Sequence, residues 1–261
     1  MPVIQMIMFV FFFGLCVGSF LNVCIYRVPA DKSIVQPRSM CLSCGYMIPF
    51  YDNIPILSYL ALGGKCRQCN TAFSIRYPLV EFMCGLFAVC VWLKFGPTPS
   101  ALIYYALIAC LVVITYIDID HQIIPDIISL PGILVFFLAA FMIPEITWKD
   151  SLAGFLAGGG SLYAVAFTYH LLTGKEGMGG GDIKLLAMMG TLIGWKGVGF
   201  TIFISSAVGT VAGLIVMIHT GKNMKLAVPF GPFLAIGGIV YLFFGPELIN
   251  WYITMFASPQ Y

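Results

Sequence analysis

Long, nearly uninterrupted apolar runs recur down this chain and leave it few ways to fold. As a helix, a run of roughly 17–25 apolar residues matches the hydrocarbon thickness of a bilayer. Inside lipid every backbone amide and carbonyl needs an internal partner, so a spanning segment is a helix or a strand of a closed barrel. The lengths here favour helices. Eight runs stand out, at about 3–25, 78–95, 101–118, 126–143, 151–173, 183–195, 198–219 and 229–255. The chain is 60% hydrophobic and only 9% charged, which excludes an ordinary soluble domain. The expected fold is therefore an all-α polytopic membrane protein with about eight transmembrane helices. The first run lacks a positive leading segment and a small-residue cleavage site, so it is expected to stay as a permanent span.

Basic residues orient the spans. Arg27, Lys32, Arg38, Lys65, Arg67 and Arg76 fall in or at the ends of the segment after the first span, and Lys175, Lys184, Lys222 and Lys225 fall on the same side. Only Lys94, Lys149 and Lys196 fall opposite. This bias places the 27–77 loop in the cytoplasm. Topology accounts for the positive charge, so there is no reason to invoke nucleic acid; lipid is the surrounding partner. Three parts follow: a first transmembrane helix (1–26), a cytoplasmic four-cysteine loop (27–77) and a seven-helix membrane domain (78–261). Gly158-Gly159-Gly160, Gly209 and Gly213 read as positions of close helix packing.

The loop carries Cys41-x-x-Cys44 and Cys66-x-x-Cys69, 21 residues apart. Two such pairs supply four thiolates for a tetrahedral zinc ion. A loop with little apolar content gains stability by coupling metal ligation to folding. A saturated four-sulfur site has no open position, so the zinc-knuckle role is structural. The alternative is thiol redox chemistry, which a reducing cytoplasm disfavours. Cys16, Cys24, Cys84, Cys90 and Cys110 sit in apolar runs at no ligand spacing and read as small buried hydrophobes.

Carboxylates at a membrane boundary are costly and are functional candidates by default. Asp118 ends the third run and Asp182 opens the sixth, and the charge bias puts both at the cytoplasmic face. Two facing carboxylates are the equipment of an aspartyl protease. Gly179, Gly180 and Gly181 precede Asp182, and a substrate strand can approach so bare a backbone closely. Within the segment 117–126, Asp120 and His121 are expected in a loop. Asp126 is expected to open and cap the next helix. Glu81 reads as structural or accessory, paired with Arg76 or another base. A proton-coupled carrier using the aspartates as a relay is the rival reading.

Taken together, these segments resemble the bacterial type IV prepilin peptidases. The resemblance rests on GSFLNVCIYR at 18–27, PRSMCLSCGYMIPFYDNIPILSYLALGGKCRQC at 37–69 and RYPLVEF at 76–82. It continues through IDIDHQIIPD at 117–126, GGGDIKLLAMMG at 179–190 and PFGPFLAIG at 229–237. It implies an eight-span inner-membrane aspartyl protease in which Asp118 and Asp182 are catalytic. It also implies prepilin or pseudopilin substrates cut after a glycine. Relatives with the four-cysteine loop usually methylate the new N-terminal residue, commonly phenylalanine, using S-adenosylmethionine. That second activity rests on the resemblance alone, with Asp52, Asn53 and Glu81 as candidates for the methyl-donor site. A peptidase without methyltransferase activity is the alternative.

Overall fold

The computed structural model describes residues 3–175, 177–220 and 229–257. Lys222 and Lys225, two of the ten basic residues on the expected cytoplasmic side, lie outside them. Among the described residues the chain is helical, with two isolated bridges and no strand. Six helices are long and apolar enough to cross a membrane, and a shorter apolar helix spans Asp126–Met142. Each expected run falls largely on one of these helices, so the chain is a multi-pass membrane protein.

The chain divides into two compact units, Met1–Ile117 and Asp118–Tyr261. The first holds α1 (Val3–Arg27), the short α2 (Leu57–Ala61), α3 (Arg76–Phe95) and all but the last turn of α4 (Pro99–His121). α1 packs on α3 through glycines that its apolar pattern does not advertise. A Cβ on Gly14 would come 2.7 Å from the Cys84 carbonyl oxygen, and one on Gly18 would come 2.7 Å from the Glu81 Cα. In lipid, where apolar burial no longer drives helices together, such close backbone approach is the main source of association. The Asn22 side chain donates to the Tyr77 carbonyl at 3.0 Å, and the Tyr105 hydroxyl donates to that of Cys84 at 3.2 Å. In α4, Leu107, Ile108, Leu111 and Ile114 are fully buried, as suits a helix apolar on every face.

The second unit holds the last turn of α4, α5 (Asp126–Ala139), α6 (Trp148–Thr173), α7 (Gly180–Thr220) and α8 (Gly231–Ala257). Helix α6 starts on a capping box in which Thr147 and Asp150 satisfy each other's amides. Within α7 the expected sixth and seventh runs are two helices that meet at a kink at Gly194, where φ is 66° and ψ is 176°. A residue with a side chain rarely adopts that conformation. Gly154 and Gly190 pack backbone to backbone: a Cβ on either would overlap the other's carbonyl oxygen. Gly158 meets the Leu186 carbonyl in the same way, so its packing role holds. A Cβ on Gly209 would meet the Phe233 ring, and among the described residues nothing lies within 4 Å of one on Gly160 or Gly213.

Candidate functional site

The expected carboxylates come together in the second unit, where four helix ends meet. Asp118 lies in the last turn of α4 and is 6% exposed. Its Oδ2 accepts a hydrogen bond from the Gly231 amide, the first residue of α8, at 3.0 Å. The helix continues to His121 and ends where Gln122 turns left-handed (φ 54°), its amide donating to the Asp118 carbonyl at 2.8 Å. Asp120 and His121 are therefore exposed helical residues rather than loop residues. The apolar-to-polar switch marks where the helix leaves lipid, whereas hydrogen bonding decides where it stops.

Asp182 is the third residue of α7, and its carboxylate is close enough to Asp118 for their charges to interact. Gly179 caps this turn, its carbonyl accepting from the Asp182 amide at 3.2 Å. Gly180 is exposed, with no described residue within 4 Å of where a Cβ would stand. Gly181 instead packs on Ile124, whose Cβ lies 2.8 Å from its own virtual Cβ. Ile124 also touches Gly231, so one side chain spaces the backbones on which the two aspartates depend. Asp126 opens α5 as expected but makes no side-chain cap. It pairs with Lys184 at 2.7 and 2.9 Å, tying the start of α5 to the first turns of α7. A lysine within reach offers a carboxylate full charge compensation, which exposed amides at a helix start do not.

The four cysteines also come together, in the first unit, in two alike turns. The Cys41 amide donates to the Tyr46 carbonyl and the Gly45 amide to the Cys41 carbonyl. The Cys66 amide likewise donates to the Thr71 carbonyl and the Asn70 amide to the Cys66 carbonyl. Gly45 (φ 72°) and Asn70 (φ 57°) supply the left-handed residue in each, the conformation that glycine and asparagine adopt most readily. The four sulfurs lie within 4.8 Å of one another, with Cys41 to Cys69 at 3.7 Å and Cys44 to Cys66 at 4.0 Å. A tetrahedron with ~2.3 Å zinc–sulfur bonds has edges of ~3.8 Å, so the cluster has the dimensions of a metal site. The Thr71 hydroxyl and amide hold the Cys69 thiol down to about 6, and backbone amides of Cys44 and Ser43 lower that of Cys41. Burial and the neighbouring Cys69, Cys41 and Cys66 thiols push Cys44 the other way, up to about 12, so the cluster's protons are shared among its thiols. Of the other cysteines, Cys24 and Cys84 are buried as expected, while Cys16 lies on an exposed face of α1.

Beside these turns lies a cavity of about 720 Å³, and its walls include Asp52, Asn53 and Glu81. Asp52 is held by both guanidinium arms of Arg67, at 2.7 and 2.6 Å, which keeps its carboxyl below the usual carboxylate range. Glu81 accepts from the Ile56 amide at 2.8 Å and from the Ser19 hydroxyl, rather than pairing with a base. Arg76 lies instead over the Tyr116 ring, 4.4 Å from its centroid. Arg27 also faces the cavity, 8% exposed. It donates to the Ser33 and Arg38 carbonyls, and no carboxylate pairs with it among the described residues. Sequence reading missed Arg27, Arg67 and Gly231. A basic residue inside the second Cys-x-x-Cys, and a glycine opening a span between Phe230 and Pro232, were the available signals.

The described residues define a helical membrane protein with a carboxylate pair at its helix ends and four thiols that could hold a metal ion. Comparison makes the class specific. Residues 12–95 match the bacterial peptidase A24 N-terminal domain and residues 105–214 the type IV leader peptidase family. A prepilin leader peptidase/N-methyltransferase of Pseudomonas putida is 37% identical, covering 90% of this chain and 89% of that protein. Proteins of the same name from Aeromonas hydrophila and Pseudomonas aeruginosa are 36% and 38% identical, covering 95% and 92% of this chain and 93% and 91% of theirs. No solved structure matches. The chain belongs to the type IV leader peptidase family.

Proposed function

We propose that this protein cleaves the leader peptide of type IV prepilins or pseudopilins after a glycine and then N-methylates the new N-terminal residue. The observation that carries the reading is the meeting of Asp118 and Asp182 at the ends of α4 and α7. Like charges so close resist double ionisation, so one carboxylate is ionised and the other protonated, and their titration belongs to the pair. The ionised member takes a proton from a water molecule, which attacks the scissile carbonyl. The neutral member donates to the developing oxyanion and then to the leaving amine. The exposed backbone at Gly179 and Gly180 is a surface on which the unwound segment of substrate can lie. The site faces the cytoplasm of the inner membrane, where the basic leader of a prepilin would meet it.

The methyl donor is S-adenosylmethionine, which supplies an activated methyl group when bound. The cavity beside the cysteine turns suits a ligand of that class, since small-molecule sites run from roughly 300 to 1,000 Å³. Arg27 offers a buried cation to a carboxylate, and Asn53 offers an amide. The four cysteines hold a structural zinc ion that orders this wall, giving the 27–77 loop the methyl-transfer role and the membrane helices the proteolytic one.

The test is incubation of purified protein with a prepilin, with and without S-adenosylmethionine, followed by product mass. Wild type is expected to release the leader and, with donor present, to add one methyl group. Asp118→Ala and Asp182→Ala are expected to leave the prepilin intact while still methylating a pre-cleaved substrate. Cleavage surviving in both variants would sink the carboxylate assignment.

A further inference from the structure

Between Pro55 and α2 the chain takes a conformation that its sequence resists. Ile56 sits at φ 61° and ψ −50°, and the Leu57 amide donates back to the Pro55 carbonyl at 2.6 Å. This is a γ-turn of the rare, strained hand, centred on a β-branched residue for which positive φ is a true outlier. Such strain persists only where surrounding structure over-determines it, and it clusters at ligand clamps and active sites. Three groups hold the segment around it. Arg67 grips Asp52 at one end. Ser58 accepts from the Ile54 amide and donates to the Tyr51 carbonyl, both at 3.0 Å. At the centre, the Ile56 amide donates to Glu81, itself 8% exposed and set against α1 by Gly18. Asp52, Asn53, Ile54, Ile56 and Glu81 all line the one cavity.

We propose that Glu81 is a positioning residue for methyl transfer, its carboxylate holding the strained turn at Ile56 and so fixing the 52–57 wall of the cavity. It acts through the backbone and not on the ligand. The proposal rests on the cavity being the methyl-donor site. Glycine adopts positive φ freely, so a glycine at 56 forms the turn without the carboxylate. The dependence on Glu81 then falls, and a double-mutant cycle reads that coupling.

The experiment measures S-adenosylhomocysteine binding by calorimetry on the full chain in detergent, with leader cleavage and thermal melting as folding controls. Glu81→Ala is expected to weaken binding at least tenfold and to raise KM for S-adenosylmethionine more than it lowers kcat, with cleavage unchanged. Glu81→Gln keeps an acceptor for the Ile56 amide and is expected to bind within about threefold of wild type. In an Ile56→Gly background the further loss from Glu81→Ala is expected to shrink below threefold. An equal loss in both backgrounds would mean that Glu81 touches the ligand and would overturn the proposal, as would wild-type binding by Glu81→Ala. Asn53→Trp fills the cavity. If that variant binds normally, the donor site lies elsewhere and both readings fall. If it does not bind while Glu81→Ala does, only the positioning role falls.

Discussion

Replacing Gly231 with alanine separates fold from chemistry in this protein. The position opens α8 without positive φ, so the backbone accepts alanine, whose helix propensity exceeds that of glycine by up to about 1 kcal/mol. Stability alone therefore predicts a neutral or slightly stabilised variant. The new Cβ, however, would stand 2.6 Å from Asp118 Oδ2 and 3.3 Å from its Cγ. Ordinary contact begins near 3.4 Å, so the carboxylate must withdraw by 0.8 Å, the difference between 3.4 and 2.6 Å. The amide bond that orients it, now 3.0 Å long, is then stretched or lost. A hydrogen bond to a charged group contributes about 1.5–3 kcal/mol. At roughly 1.4 kcal/mol per factor of ten, its loss slows catalysis about 10- to 150-fold. Misplacing a reacting group by about 1 Å has a comparable effect, near 100-fold. Initial rates of leader release from a prepilin peptide in detergent, compared with melting temperature and with methylation of a pre-cleaved peptide, are the assay. The expected result is cleavage slowed by about two orders of magnitude, with melting and methylation unchanged. Cleavage within threefold of wild type would refute the claim that this amide sets the carboxylate. A matching fall in melting temperature would show a packing defect instead.

Other perturbations test other parts of the molecule. Gly154→Val drives a side chain into the Gly190 carbonyl and is expected to destabilise by about 1–3 kcal/mol or more, read as earlier thermal aggregation. Lys184→Ala breaks an exposed pair with Asp126, so melting should change by less than about 1 kcal/mol; a larger loss of cleavage than of stability would give the pair a positioning role. The Asp52 carboxyl is depressed by Arg67, so its contribution is present above the ordinary aspartate range and is lost as pH falls through the lowered value. Arg67→Ala should therefore abolish the part of the loop's acid sensitivity measured by amide exchange below that range. Metal removal by a strong chelator is expected to expose four titratable thiols and to raise proteolysis within 27–77, with the membrane helices still protected.

What the sequence disclosed and what it hid divide along the range of the forces involved. Apolar runs are local and long, so the spans were legible, and the non-helical Gly194 marks the kink that separates the sixth from the seventh. The knuckles were legible because ligation demands a local spacing, and a residue able to turn left-handed, Gly45 or Asn70, follows each pair. Asp118 and Asp182 stood out because a carboxylate is conspicuous against lipid. The groups that orient them did not. Gly231 is one glycine among 28, and nothing near it in the chain says that its amide faces a carboxylate 113 residues away. Ile124 looks like any apolar loop residue until Gly181 and Gly231 are seen on either side of it. Ile56 is the sharpest case, because its local sequence argues against the conformation it adopts. Local preference and structure disagree there because a distant carboxylate, Glu81, outweighs the preference, and such a conflict is expected where a fold gives up comfort for a site. Chemistry-bearing residues can thus be read from type and spacing, whereas the backbone that aims them is written in contacts between helices far apart in the chain.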